Sequence, residues 1–189
     1  MESKKVIASI INLYRDHGDM PYVGGISLLE HALQSAELAT TEGRDDEVIV
    51  AAFLHDIGHL IAHKDGEPLD DIETMNHDCL GADYLLGLGF PARVINLVAN
   101  HVEAKRYLCA IEPGHYEQLS EASKEALHWQ GGVMSMDEVV EFSCRKDLED
   151  ILALRCFDEA ARKKWEVKGG LDEMETLLTQ VFERQAELV

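Results

Sequence analysis

Apolar residues return at the spacing of one helix face along most of this chain. Val6, Ile7, Ile10, Ile11 and Tyr14 form one stripe, and Val48, Ile49, Ala52, Phe53, Ile57 and Leu60 form another. Alternating apolar and polar stretches, which a half-buried strand would need, are scarce, so the expected fold class is all-α. Ser27 and Glu30 fit a capping box, in which a serine oxygen and a carboxylate satisfy free amides at a helix start, and a helix should run from about Leu28 to Thr41. Further helices are predicted at about 46–62, 76–87, 91–108, 117–127, 136–144, 147–165 and 170–187, between turn signals such as Gly43, Pro113-Gly114, Gly131-Gly132 and Gly169-Gly170. The polar, turn-rich stretch 65–72 is expected outside the core. No repeat or linker interrupts the pattern, and 189 residues, 46% of them hydrophobic, suffice for one core, so residues 1–189 read as a single domain.

Charge narrows the partners. Asp and Glu number 36 against 17 Lys and Arg, a formal charge of -19, and the basic residues are scattered. Such a surface repels phosphate backbones and anionic lipid, so neither nucleic acid nor membrane is expected as a partner. The first 19 residues interrupt their apolar positions with Ser9, Asn12, Arg15 and Asp16, which leaves no signal-peptide core, and a cytoplasmic location is expected. Cys79, Cys109, Cys144 and Cys156 form no CxxC pair and read as reduced core thiols.

Six side chains stand out: His31, the adjacent pair His55-Asp56, His77, His101 and Asp158, each within a predicted helix. Imidazole nitrogen and carboxylate oxygen suit iron, manganese and zinc, and six such groups exceed what one ion with open positions needs. Two metals sharing the two oxygens of Asp56 would explain the count. The pair is set in apolar sequence, Ala51 to Leu54 before it and Ile57-Gly58 after it, where burial without partners would be costly. Any one of these histidines alone reads as well as a helix cap or a core side chain; the ordered set carries the argument.

That order, H…HD…H…H…D with spacings of 24, 1, 21, 24 and 57 residues, resembles the HD-domain superfamily of helical metalloproteins. Its core signature is visible as Leu54-His55-Asp56-Ile57-Gly58-His59, and the resemblance covers about residues 28–165. It implies an HD-type helical bundle in which one metal takes His31, His55, Asp56 and Asp158, and the other takes Asp56, His77 and His101. Two chemistries fit such ligands: metal-dependent phosphohydrolysis, and oxygenation by a mixed-valent Fe(II)/Fe(III) pair with dioxygen as co-substrate. A sensing module without turnover is a third possibility, against which the full ligand set argues. In length, ligand spacing and flanking sequence the chain is similar to the phosphonate-cleaving diiron oxygenase group.

Within that resemblance, Lys105 and Arg155 lie one helical turn from His101 and Asp158, where cations call for an anion such as a phosphonate. Asp56, Lys105 and His59 are the expected catalytic residues. Lys105, Arg155, His59 and Tyr22, with Ser123 and Gln130 from the segment 121–132, are expected to contact the substrate. Tyr22 is expected to act as a lid over the open metal position. The group's substrates include 2-amino-1-hydroxyethylphosphonate and its trimethylammonium analogue. The loop Met20 to Ser27 carries no acid and has Gly24-Gly25 where an acid would meet a primary ammonium. A trimethylammonium has no N–H donors and needs room, so the expected substrate is 1-hydroxy-2-(trimethylamino)ethylphosphonate, giving glycine betaine and phosphate. Asp16 and Asp19 could cancel this by folding back, and Trp129 is a candidate for contacting the methyls.

Overall fold

A computed structural model of the protein describes residues 2–64 and 76–186. Among them every regular element is helical, apart from one isolated antiparallel bridge between Pro21 and Ser27. The helices are α1 (Glu2–His17), α2 (Leu28–Thr41), α3 (Asp46–Leu54), α4 (Ile57–Lys64), α5 (His77–Leu88), α6 (Ala92–Ile111), α7 (His115–Gln118), α8 (Glu121–Trp129), α9 (Met136–Ser143), α10 (Leu148–Ala160) and α11 (Leu171–Ala186). The chain is thus an all-α bundle. No helix among the described residues is long and apolar enough to cross a membrane.

Local chemistry sets the helix starts. Ser27 Oγ accepts from Glu30 N–H while the Glu30 carboxylate accepts from Ser27 N–H, the expected reciprocal cap of α2. Ser135 and Glu138 repeat that arrangement on α9, and Asp45 caps α3 by accepting from Glu47 and Val48. Helix α3 is buried all round from Val48 to Leu54, and α2, α6, α10 and α11 pack about it. Helix α6 is the second axis, packed on α3, α5 and α10. These two helices hold the core: Phe53 and Leu54 of α3 and Leu97 of α6 are fully buried, as is Leu154 of the neighbouring α10.

Three predicted helices are corrected. The segment 46–62 is broken at His55-Asp56, where His59 N–H bonds Asp56 O at 3.0 Å in a tighter i to i+3 turn. The break frees carbonyls at the end of α3. Phe53 O accepts from the buried Tyr14 hydroxyl at 2.7 Å, and Ala52 O lies 2.8 Å from His55 Nδ1. The segment 117–127 becomes α7 and α8, because Ser120 caps a new start by accepting from Ser123 N–H. The segment 147–165 ends at Ala160, after which the chain is used for other contacts. The cysteines are unpaired but not core: Cys79, Cys144 and Cys156 are exposed and Cys109 is half-buried. The stretch 65–72 lies outside the described residues.

Candidate metal centre

His31 comes from α2, His55 and Asp56 from the break between α3 and α4, His77 from the first turn of α5, His101 from α6 and Asp158 from α10. All six are buried, between 0% and 8% exposed, which imidazoles and carboxylates do not tolerate without partners. The two oxygens of Asp56 face opposite sets. Oδ2 lies 3.4 Å from both His31 Nε2 and His55 Nε2; Oδ1 lies 3.3 Å from His77 Nε2 and 3.5 Å from His101 Nε2. Asp158 Oδ1 closes the first set, 3.5 Å from His31 Nε2 and 4.0 Å from His55 Nε2.

Backbone carbonyls fix the imidazole tautomers. His31 Nδ1 lies 2.6 Å from Ala161 O, His55 Nδ1 2.8 Å from Ala52 O, and His101 Nδ1 2.7 Å from Val98 O. A carbonyl only accepts, so each Nδ1 carries a proton, which leaves Nε2 of each ring as the nitrogen placed to bind a metal. His31 Nε2 and His55 Nε2 then stand 3.0 Å apart, and His77 Nε2 and His101 Nε2 2.9 Å apart. Ring nitrogens gathered this closely beside a buried carboxylate suit a cation between them. Asp56 Oδ2 is buried with no hydrogen-bond partner, as a carboxylate oxygen reserved for a metal would be. The spacing is that of two ligands each ~2.1 Å from one ion. The residues of each set could therefore hold a metal, with one Asp56 oxygen turned to each set.

The surrounding charges support the ionised carboxylates. Burial pushes Asp56 up, but the imidazoles of His55, His101 and His31 hold it well below the usual carboxylate range. Burial likewise raises Asp158, and the guanidiniums of Arg155 and Arg162 outweigh it. His59 stacks on His77 with ring centroids 4.1 Å apart, and its Nε2 is 4.0 Å from Asp56 Oδ1. Burial, and next the His77 charge, lower its pKa to about 3, so it stays neutral. Asp56, His59 and His77 form a compact ligand-capable group of their own, which places His59 at the metal pocket itself.

On the Asp158 side stand the expected cations. Arg155 is 3% exposed; its Nη1 donates to Asp158 Oδ2 at 2.6 Å, its Nε to Glu159 at 2.9 Å, and its Nη2 has no partner. Lys105 is buried and donates to Gln130 Oε1, and burial with Arg155 nearby lowers its pKa to about 8. Arg106 keeps Gln130 in reach by donating from Nε to Gly132 O at 2.9 Å, across the turn that follows it. Arg162, which the sequence reading passed over, donates from Nη2 to Asp158 Oδ1 at 2.7 Å and from Nη1 to the buried Ser123 Oγ at 2.8 Å. Its spacing of four from Asp158 is the signal that singles out Lys105 relative to His101.

Tyr22 lies over His31, rings stacked with centroids 4.3 Å apart. Burial, and then Asp56 and Asp158, raise its phenol well above the ordinary value, so it is neutral. Its loop turns through Gly24 and Gly25 at φ 82° and 73°, a region closed to most side chains, and Tyr22 N–H bonds Ile26 O at 2.8 Å. Asp16 and Asp19 are exposed. Trp129 is 64% exposed with its ring against His128, which removes it as a lining residue.

Comparison with known proteins agrees with this geometry. The family model described as HD domain matches residues 28–129, a stretch that includes every ligand-type residue named above except Asp158. The chain is 40% identical, over 84% of its own length and 81% of the relative's, to 1-hydroxy-2-(trimethylamino)ethylphosphonate dioxygenase (glycine-betaine-forming) of Leisingera caerulea. It is 35% identical, over 94% of its length and 88% of the relative's, to hydroxymethylphosphonate dioxygenase of Gimesia maris. With the HD pair at the meeting point of both histidine sets and this match across the segment that carries it, the chain belongs to the HD-domain family.

Proposed function

We propose that this protein is a dioxygenase that cleaves the C–P bond of 1-hydroxy-2-(trimethylamino)ethylphosphonate, taking up one O2 and releasing glycine betaine and phosphate. The observation that carries the reading is Asp56: one buried carboxylate faces two histidine sets, and one of its oxygens has no hydrogen-bond partner. Two irons, held by His31, His55, Asp56 and Asp158 and by Asp56, His77 and His101, would supply dioxygen activation and a seat for the substrate hydroxyl. The names of the two relatives favour oxygenation over the hydrolytic alternative.

The protein's own part is binding and exclusion. Arg155, with a free Nη2, and Lys105 supply charge for a phosphonate dianion; Gln130, bonded to Lys105, and Ser123, bonded to Arg162, serve as orienting groups. Neutral His59, at the Oδ1 side of Asp56, is suited to accept or donate one hydrogen bond without changing the site's charge. Tyr22 covers His31 until substrate enters. The loop beneath it offers no carboxylate, which favours a substrate end without N–H donors: an unpaired donor in a closed site costs about 1 to 3 kcal/mol, roughly 5- to 150-fold. A second reading, hydroxymethylphosphonate, has no nitrogen at all and is favoured by the relative that matches 94% of the chain.

Oxygen uptake decides the class and kcat/KM the substrate. Phosphate release that proceeds equally without air would establish a hydrolase. With air, kcat/KM compared across the trimethylammonium, primary-amine and hydroxymethyl substrates is expected to be highest for the first, and a clear preference for either of the others reassigns the substrate.

A further inference from the structure

Helix α10 stops at Ala160, and residues 161–163 cross the metal centre as a short strap. Three successive carbonyls of this strap are engaged. Ala161 O accepts from His31 Nδ1 at 2.6 Å, and Lys163 O accepts from Gln34 Nε2 at 2.9 Å. Between them Arg162 O lies directly against Gly24 of the Tyr22 loop, where a Cβ on Gly24 would collide with it. The side chain of Arg162 turns back toward the site. Its Nε donates to Asp158 O at 3.2 Å, its Nη2 to Asp158 Oδ1 at 2.7 Å and its Nη1 to Ser123 Oγ at 2.8 Å. One residue thus touches the Asp158 carboxylate, the buried Ser123 hydroxyl and the turn of the Tyr22 loop.

The hydrogen-bond arithmetic at Ser123 gives this contact a chemical meaning. A guanidinium only donates, so Arg162 occupies one lone pair of Ser123 Oγ and can never receive its proton. Ser120 Oγ, 3.0 Å from Ser123 Oγ, already accepts from Ser123 N–H at 3.1 Å. With Ser120 donating in turn, both lone pairs of Ser123 are filled and its single proton is left for an acceptor outside the pair. A lysine at 162 could meet Asp158 or Ser123 but lacks the planar fork that meets both.

We propose that Arg162 is a positioning residue for the anionic end of the substrate: it fills a lone pair of Ser123 and turns that hydroxyl toward donating to the anion that Lys105 and Arg155 bind, while fixing Asp158 and the Tyr22 loop. The proposal rests on the phosphonate reading above. Its test is titration of the iron(II)-loaded protein with inorganic phosphate in the absence of air, with iron content measured in parallel. The chains compared are wild type, Arg162→Lys, Arg162→Gln, Ser123→Ala and the double variant Arg162→Gln/Ser123→Ala. Arg162→Lys and Arg162→Gln are each expected to weaken phosphate binding about 10-fold or more, the loss of a charge-assisted bond. The double variant should bind little worse than Ser123→Ala alone, because Arg162 acts through Ser123. Turnover with the phosphonate should show KM raised more than kcat lowered.

Unchanged phosphate affinity in both Arg162 variants overturns the proposal, as does a double variant whose losses simply add. If Arg162→Gln fails to fold, Arg162→Lys, which keeps the cation beside Asp158, carries the comparison with Ser123→Ala. A wild-type protein that binds neither phosphate nor any hydroxyphosphonate fails the phosphonate reading itself. That result is distinct from one in which the wild type binds and the Arg162 variants are indifferent.

Discussion

The backbone carbonyl of His77 sits where the Cβ of any residue but glycine at position 58 would have to be. Gly58 follows the HD pair at the start of α4, and its lack of a side chain lets α5 close onto α4 and bring His77 Nε2 to 3.3 Å from Asp56. The glycine of this motif is therefore a packing requirement of one histidine set.

Gly58→Ala should push α5 outward and cost about 1 to 3 kcal/mol of stability by overpacking. His31, His55 and Asp158 do not depend on that contact, so metal content should fall from close to two ions per chain toward one. Elemental analysis of the folded variant checks this; retention of both ions would show that α5 adjusts without loss.

Asp56→Ala removes the one carboxylate that, among the described residues, faces both sets. Both ions should be lost together, where His31→Ala or His77→Ala should each spare the other set in part. Iron content per chain, measured on folded protein, distinguishes the bridging arrangement from two independent sites.

Lys105 gives the pH dependence. Burial and Arg155 lower its pKa to about 8, and the other charges facing it, Asp158, Arg162 and Cys109, do not change ionisation near there: Asp158 is held low, Arg162 high and the Cys109 thiol is raised. The anion needs the ammonium form, which is present below that value and lost above it, so kcat/KM should fall as pH rises through about 8. Lys105→Met should lower kcat/KM by ~10- to 150-fold and remove the inflection. An inflection that survives the substitution belongs to another group.

Tyr22→Phe keeps the ring that stacks on His31 and removes the hydroxyl. The loop should stay in place while the centre becomes more open to air, so activity should decay several-fold faster when iron-loaded protein is preincubated without substrate. An unchanged decay would reduce Tyr22 to a packing residue.

Much of the site was legible because its signals are local. The order of six ligand-type residues pointed to the family, and Ser27-Glu30 fixed the start of the helix that carries His31. The break at His55-Asp56 was not legible, since its flanks, Ala51 to Leu54 and Ile57 to Leu60, continue the apolar pattern on both sides. The interruption answers to tertiary needs: Tyr14 and His55 take the carbonyls it frees. The early end of α10 was hidden for a related reason. Residues 161–163 read as helix, but their carbonyls are satisfied by His31 and Gln34 from α2, partners that no sequence window contains. Trp129 misled because an aromatic beside a polar segment suggests a pocket wall, whereas its place at the end of α8 leaves the ring outside.

The bond from His31 Nδ1 to Ala161 O joins residues 130 positions apart in the chain. Everything up to Ala161 must therefore be made before His31 has its orienting carbonyl, and Asp158 arrives only shortly before. Metal that binds there would close a loop of about two-thirds of these 189 residues and stabilise the folded chain in the manner of a late cross-link. The set that includes Asp158 is thus completed last, 57 residues after His101 has been made.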